Sequence, residues 1–285
     1  MSRNQDYLGR YRLIRLIRSG RRCNVWEAQN DIDKERIACK VVLENYRTDK
    51  EEIEQLRNEA IVGQDMSSPH VIRVYEFVDY HTPFVAMQLF NAKNLKQEMR
   101  ERPEYVAVNV PEYIRKCALG LDHMHIKGWL HCDVKPDNFL VDEQGTVKLI
   151  DFSISKPIKR KRKLFGKHAI QGTRSYMAPE QIRGKPLDRT ADVYGLGCLV
   201  HEMLSGKPPF TGVNADDLLT KHLRSTPPSV QALNKSVSDN MAALLLKMLA
   251  KDPKKRPQSF HEFLKELERI TVYRPGMRPK LPTEE

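Results

Sequence analysis

The spacing of hydrophobic positions changes near residue 90. Before it, short runs rich in β-branched and aromatic residues prevail: Tyr11 to Ile17, Val25 to Gln29, Ile37 to Val42, Val71 to Phe77 and Phe84 to Leu89. Runs of this length and composition predict strands. One helical segment, Glu51 to Gly63, stands among them. After residue 90 the period lengthens. In PEYIRKCALGLDHMHIKG, Ile114, Cys117, Leu121 and Met124 recur at spacings of three and four. That pattern predicts an amphipathic helix with Pro111 in its first turn and Gly128 as its stop. TADVYGLGCLVHEMLSG, residues 190 to 206, is apolar on nearly every side, as in a helix enclosed by a larger lobe. Further helices are predicted at Asn240 to Leu249 and at Ser259 to Ile270, the latter with Phe260, Phe263, Leu264 and Leu267 along one face. No internal repeat is evident. The expected fold class is α+β, with a small β-rich N-lobe over about residues 8–90 and a larger, mainly helical C-lobe over about 91–271. Residues 272–285, VYRPGMRPKLPTEE, are rich in Pro and charge and predict a loose tail.

Composition narrows the class. The 285 residues are 40% hydrophobic, ample for a core. No charged-then-apolar leader is present, and no uninterrupted apolar stretch approaches the ~20 residues of a bilayer span. A soluble, cytoplasmic protein is expected. Cys23, Cys39, Cys117, Cys132 and Cys198 are dispersed and never form CxxC, which argues against a disulfide framework and a zinc site. The formal net charge of +11 favours acidic partners.

Candidate chemistry concentrates in HCDVKPDNFLV, residues 131 to 141. Phe139 to Val141 and Val147 to Ile150 are short predicted strands separated by DEQGT, a turn sequence. A hairpin there brings Asn138, before its first strand, next to Asp151, after its second. An amide carbonyl and a carboxylate at one hairpin mouth suit Mg²⁺, which prefers hard oxygen donors and shares its shell with phosphates. Asp133 and Lys135 lie upstream on the same loop. One can accept a proton and the other can neutralise phosphate charge. A plain polar loop explains any one of these residues, but not their joint occurrence.

With these residues, the chain resembles a eukaryotic-type (Hanks-type) Ser/Thr protein kinase over roughly residues 8 to 270. The resemblance implies a bilobal fold, ATP with Mg²⁺ (or Mn²⁺), and protein substrates. HCDVKPDN resembles the catalytic loop, which makes Asp133 the base or orienter of the substrate hydroxyl, Lys135 the γ-phosphate contact and Asn138 a metal ligand. DFS, residues 151 to 153, resembles the DFG motif, with Asp151 as the principal metal ligand. ACK, residues 38 to 40, resembles the third-strand lysine motif, which puts Lys40 on the α/β-phosphates and Ala38 against adenine. Glu59, nineteen residues on, is the implied partner of Lys40, an assignment that rests mainly on spacing. FVAMQLF resembles the last N-lobe strand and hinge, with Met87 as gatekeeper and Gln88, Leu89 and Phe90 offering backbone groups to adenine. Ile17 and Gly20 belong to the Gly-rich loop, and Val25 and Leu140 would close the adenine pocket. GTRSYMAPE, residues 172 to 180, resembles the substrate-binding end of the activation segment and includes Thr173. Glu180 would pair with Arg256, and Asp192 would hold the catalytic loop.

Three positions depart from the family pattern. The Gly-rich loop reads IRSGRRCNV, so Arg18 and Cys23 replace two of three glycines that allow close backbone approach to phosphate. Arg21 and Arg22 at its tip are candidates to compensate with positive charge. Ser153 replaces the glycine after Asp-Phe, which leaves the metal ligand in place. Cys132 replaces the arginine that in most of the family binds a phosphorylated activation-loop residue, the mark of a non-RD kinase. The middle of the activation segment, KPIKRKRKLFGKHAIQ, carries no Ser, Thr or Tyr. Phosphate receptor and mid-loop phosphosite are thus both missing, and activity without activation-loop phosphorylation is expected. The same stretch holds seven Lys or Arg and no acid. It reads first as a solvated loop, second as a dock for acidic residues around the target hydroxyl, and third as a nucleic-acid contact, so nucleic acid is not an expected partner.

His123 and His125 point to different faces of one helix, which favours packing over metal ligation. Adjacent His131 and Cys132 do not make a nucleophile and its base. Two functional classes follow: an ATP-dependent protein Ser/Thr kinase, or a pseudokinase serving as a nucleotide-binding or scaffolding module.

Overall fold

The computed structural model describes residues 7–158 and 171–281. The chain forms two compact units, residues 1–91 with 150–155, and residues 92–149 with 156–285.

The first unit holds β1 (Tyr7–Leu8), β2 (Tyr11–Ser19), β3 (Cys23–Asn30), β4 (Arg36–Val42), α1 (Lys50–Gln64), β5 (Val74–Val78) and β6 (Phe84–Gln88). The strands form one antiparallel sheet in the order β1-β2-β3-β4-β6-β5. All five predicted strands are present, with ends within three residues of expectation. Alternation along β4 divides its side chains between two faces. Ile37, Cys39 and Val41 join Leu8, Tyr11, Ala28, Phe84 and Ala86 in the core, which leaves Ala38 and Lys40 for the other face. The α1 helix starts where Asp49 caps the N–H groups of Glu51 and Glu52. Its Gly63 is required by close packing, because a Cβ there would run into Val74 and the ring of Phe152.

The second unit holds β7 (Lys93–Asn94), α2 (Leu95–Glu101), α3 (Pro103–Ile126), β8 (Trp129–Leu130), β9 (Phe139–Val141) and β10 (Val147–Leu149). It continues with β11 (Lys156–Pro157), α4 (Pro179–Ile182), α5 (Arg189–Ser205), α6 (Ala215–Arg224), α7 (Asp239–Met248) and α8 (Phe260–Glu268). The predicted hairpin forms, with Leu149 opposite Phe139 and Val147 opposite Val141. Every residue of α5 from Thr190 to Leu204 is buried, as its all-round apolar pattern requires.

Two expectations are corrected here. The α3 helix begins at Pro103, so Pro111 lies in its interior and not in its first turn. A proline has no N–H for the carbonyl four residues back, here that of Ala107. The hydroxyl of Tyr273 donates to that carbonyl at 2.5 Å. The start of the C-terminal segment is therefore packed rather than loose: Val272 and Tyr273 are buried, Ser238 N–H donates to the Val272 carbonyl, and Arg274 N–H donates to that of Ser236. Helix interior and tail repair each other. Tyr273→Phe, which keeps the ring and removes the donor, is expected to cost about 1–2 kcal/mol in urea unfolding. Tyr273→Ala should cost about 3 kcal/mol or more, because it also opens a cavity.

Candidate active site

The first unit gathers one cation and two acids. Lys40 on β4 donates from Nζ to Glu59 Oε2 of α1 at 2.6 Å and to Asp151 Oδ1 at 3.1 Å. Burial alone would lower the Lys40 ammonium, but Asp151 and Glu59 outweigh it and hold its pKa above the ordinary value. Strand register puts Val25 opposite Lys40 and Met87 opposite Ala38, so these four residues share a sheet face. Gln88 ends β6, and Leu89 follows it. The Gln88 N–H donates to the Arg73 carbonyl at 2.8 Å, so that group is committed within the fold.

The Gly-rich loop is a closed hairpin. β2 and β3 stay paired up to Ser19 opposite Asn24, Ile17 is exposed on β2, and Gly20 sits at the tip. Arg22, a candidate to supply charge to a triphosphate, is paired instead with buried Glu52 of α1 and lies over the Tyr46 ring at 5.7 Å. Its carbonyl accepts from Leu43 N–H at 2.8 Å. Exposed Arg21 remains as the tip cation. Burial pushes the Cys23 thiol up to about 11, against the pull of Lys40.

In the second unit the loop 131–138 is suspended from α5. Asp192 Oδ2 accepts from His131 N–H at 2.8 Å and meets His125 Nε2 at 2.8 Å, while Oδ1 accepts from Cys132 N–H at 2.9 Å. Burial alone would raise this carboxyl, but the His125 ring and the loop outweigh it and hold it below its ordinary value. His125 Nε2 is thus engaged by α5. Cys132 has φ +67°, a left-handed conformation that costs a residue with a Cβ about 1–2 kcal/mol. Two hydrogen bonds hold it there, the one from its own N–H and one from Gln181 Nε2 to its carbonyl at 2.8 Å. The thiol is buried and pushed up by that burial, which makes it an inert group.

Downstream, Asp133 Oδ1 accepts from Thr173 N–H at 2.8 Å, and its Oδ2 meets Lys135 Nζ at 2.5 Å. Lys135 also donates to Thr173 Oγ1 at 2.9 Å. Gly172, at φ +115°, lets the chain pass close, since a Cβ there would sit 3.1 Å from the Cys132 carbonyl oxygen. Asn138 is buried, and its Nδ2 donates to the Asp133 carbonyl at 2.9 Å. That bond commits the amide nitrogen and leaves the amide oxygen as the group suited to a cation. Leu140 follows on β9. Arg256 is fully buried and forks onto Glu180, with distances of 2.6 and 3.0 Å.

Asn58, Gln181 and the chain in which Tyr176 and Lys96 both bond Glu202 at 2.5 Å were not legible in the sequence. Tyr176 lies within GTRSYMAPE but its hydroxyl has no assigned role there, and each of these residues acts on backbone or on residues distant in sequence. Among the described residues no group of three or more His, Cys, Asp or Glu could hold a metal alone. Asp151 offers a carboxylate and Asn138 an amide oxygen, each the kind of hard donor that Mg²⁺ prefers. The basic stretch falls mostly on residues 159–170, outside the described residues.

Burial raises the Glu59 carboxyl from 4.5 to about 7, with Lys40 opposing. Such a group gains a proton on folding, so its contribution to stability falls as pH rises from about 4.5 to 7 and levels off above. Glu59→Gln lacks that proton. The stability of the variant relative to the parent is expected to shift in favour of the variant as pH rises from 5 to 8, measured by urea unfolding.

Comparison with known proteins identifies a family. A family model described as "Protein kinase domain" matches residues 11–267. The chain is 29% identical over 253 residues to the serine/threonine-protein kinase PrkC of Bacillus subtilis, covering 86% of this chain and 38% of PrkC. It is 31% identical over 282 residues to the serine/threonine-protein kinase PknA of Mycobacterium tuberculosis, covering 97% of this chain and 64% of PknA. A PknA of Corynebacterium glutamicum is 30% identical over 295 residues, with 98% and 60% covered. The chain therefore spans between 38% and 64% of the length of these relatives. With a bilobal α+β fold and a kinase-domain match over most of its length, the chain belongs to the protein kinase domain family.

Proposed function

We propose that the protein is a Ser/Thr protein kinase that transfers the γ-phosphoryl group of ATP to protein hydroxyls without activation-loop phosphorylation. The observation that carries this reading is Asp133, whose two oxygens are held separately by Thr173 N–H and by the Lys135 ammonium. A carboxylate fixed in this way can orient a substrate hydroxyl and take its proton. The hydroxyl oxygen forms the new bond to phosphorus as the bridging bond to ADP breaks. Lys135 offsets charge on the transferring group, and Lys40, set by Glu59, holds the α/β-phosphates. Asp151 and Asn138 would hold Mg²⁺, which supplies charge neutralisation on the phosphate oxygens when bound.

Independence from phosphate is supported by Cys132, which has no guanidinium and whose backbone is fixed from both sides. The hydroxyl-free middle of the activation segment supports it from the sequence. Its basic character further supports a preference for acidic residues around the target. The closed Gly-rich hairpin, pinned through Arg22, favours a second reading as a pseudokinase that binds nucleotide or scaffolds partners.

Labelled ATP with Mg²⁺ or Mn²⁺ and generic protein acceptors separates the two. Transfer is expected from the parent, with losses of about 10²-fold or more in Asp133→Asn and Lys40→Met. A parent no better than these variants supports the pseudokinase. Phosphatase pretreatment should leave the rate unchanged within about twofold, and a large loss refutes the phosphate-free reading. KM for an acidic peptide should rise with salt, whereas salt-indifferent kinetics would remove the docking role of the basic stretch.

A further inference from the structure

Adjacent residues on α1 act on two different parts of one site. Glu59 takes the Lys40 ammonium. Asn58, one residue before it, turns its amide towards residues 152–155. Its Nδ2 lies 3.0 Å from the Phe152 carbonyl oxygen, 3.0 Å from that of Ser153 and 3.1 Å from that of Ser155. Three carbonyls converging on one atom accept only a donor, which fixes the orientation of the amide. Two N–H groups serve three acceptors, so at least one hydrogen is shared. The segment is further shaped by a turn in which Ser155 N–H donates to the Phe152 carbonyl at 3.0 Å. Phe152 is fully buried beside Gly63 of the same helix. Directly before it, Asp151 stands at φ +67° with its carboxylate on Lys40.

We propose that Asn58 is a positioning residue that holds the Asp-Phe-Ser backbone against α1 and thereby fixes the metal-binding carboxylate of Asp151. One rigid helix then sets both members of the phosphate site, Lys40 through residue 59 and Asp151 through residue 58. The hold is permanent, made of a neutral amide and backbone oxygens. It needs no phosphate to form, which matches a chain without a mid-loop phosphosite. Ser153 is compatible with it, because Asn58 uses the backbone of that position and not its side chain.

This inference rests on the kinase reading, and its test separates the two. Asn58→Asp is nearly isosteric but turns an acceptor towards three acceptors, and Asn58→Ala removes the amide without adding charge. Each is compared with the parent and with Asp133→Asn in Mg²⁺ titrations of peptide phosphorylation, and in the shift of melting temperature caused by Mg²⁺ with ATP. The expected result is a kcat lowered about tenfold or more and a half-saturating Mg²⁺ concentration raised severalfold, with KM for peptide unchanged. A role in general stability would lower the melting temperature without moving the Mg²⁺ requirement, and that outcome overturns the proposal. So does an unchanged kcat. If Asn58→Asp does not fold, Asn58→Ala decides by the same criteria. If the parent transfers no more phosphate than Asp133→Asn, the kinase reading fails. The role of Asn58 is then decided by the melting shift with Mg²⁺ and ATP, expected to be smaller in both variants than in the parent.

Discussion

The loop that carries Asp133, Lys135 and Asn138 depends on one buried carboxylate. Asp192 sits inside α5, a helix with no exposed face over most of its length, and there it receives three hydrogen bonds. A carboxylate removed from water is costly unless donors replace its hydration, and His125, His131 and Cys132 supply them. Because α5 cannot shift without disturbing the core, the loop inherits its rigidity. Arg256 repeats the device nearby: a fully buried guanidinium is satisfied by Glu180 and by the carbonyls of Thr190 and Ala250. Removal of either partner of such a pair would leave an uncompensated charge in the interior.

The first unit solves a related problem with the opposite balance. One ammonium faces two carboxyl groups, those of Glu59 and Asp151, in a largely buried place. The same helix that contributes Glu59 also holds the tip of the Gly-rich hairpin through Glu52 and Arg22. The missing glycines are thus accompanied by a tether, and the hairpin gains definition where the family pattern has freedom.

Much of this was legible from spacing. Strands of the first unit, α1, α5 and α8 follow from periodicity, and motif order singles out Lys40 and Asp151, which meet at 3.1 Å, and Asp133 with Asn138 on one loop. Helices α2 and α6 were missed because each is short and weakly apolar. Their caps were readable: Asn94 with Gln97 forms a capping box, and Asn214 accepts from Asp217 N–H at 2.9 Å. Pro111 was misplaced because a proline usually marks a helix start, and sequence cannot show that Tyr273, far along the chain, completes the hydrogen bond it forfeits. Asn58 and Gln181 stayed hidden for the same reason. Their partners are carbonyl oxygens, which every residue has and no motif encodes.

Cys132 bears on how such a protein can change over time. The strained backbone at this position is satisfied through its N–H and its carbonyl, by Asp192 and Gln181, and neither bond uses the side chain. Neither bond therefore depends on which side chain stands at position 132. The side chain at position 132 can thus change without loss of the two bonds that set the loop beside Asp133.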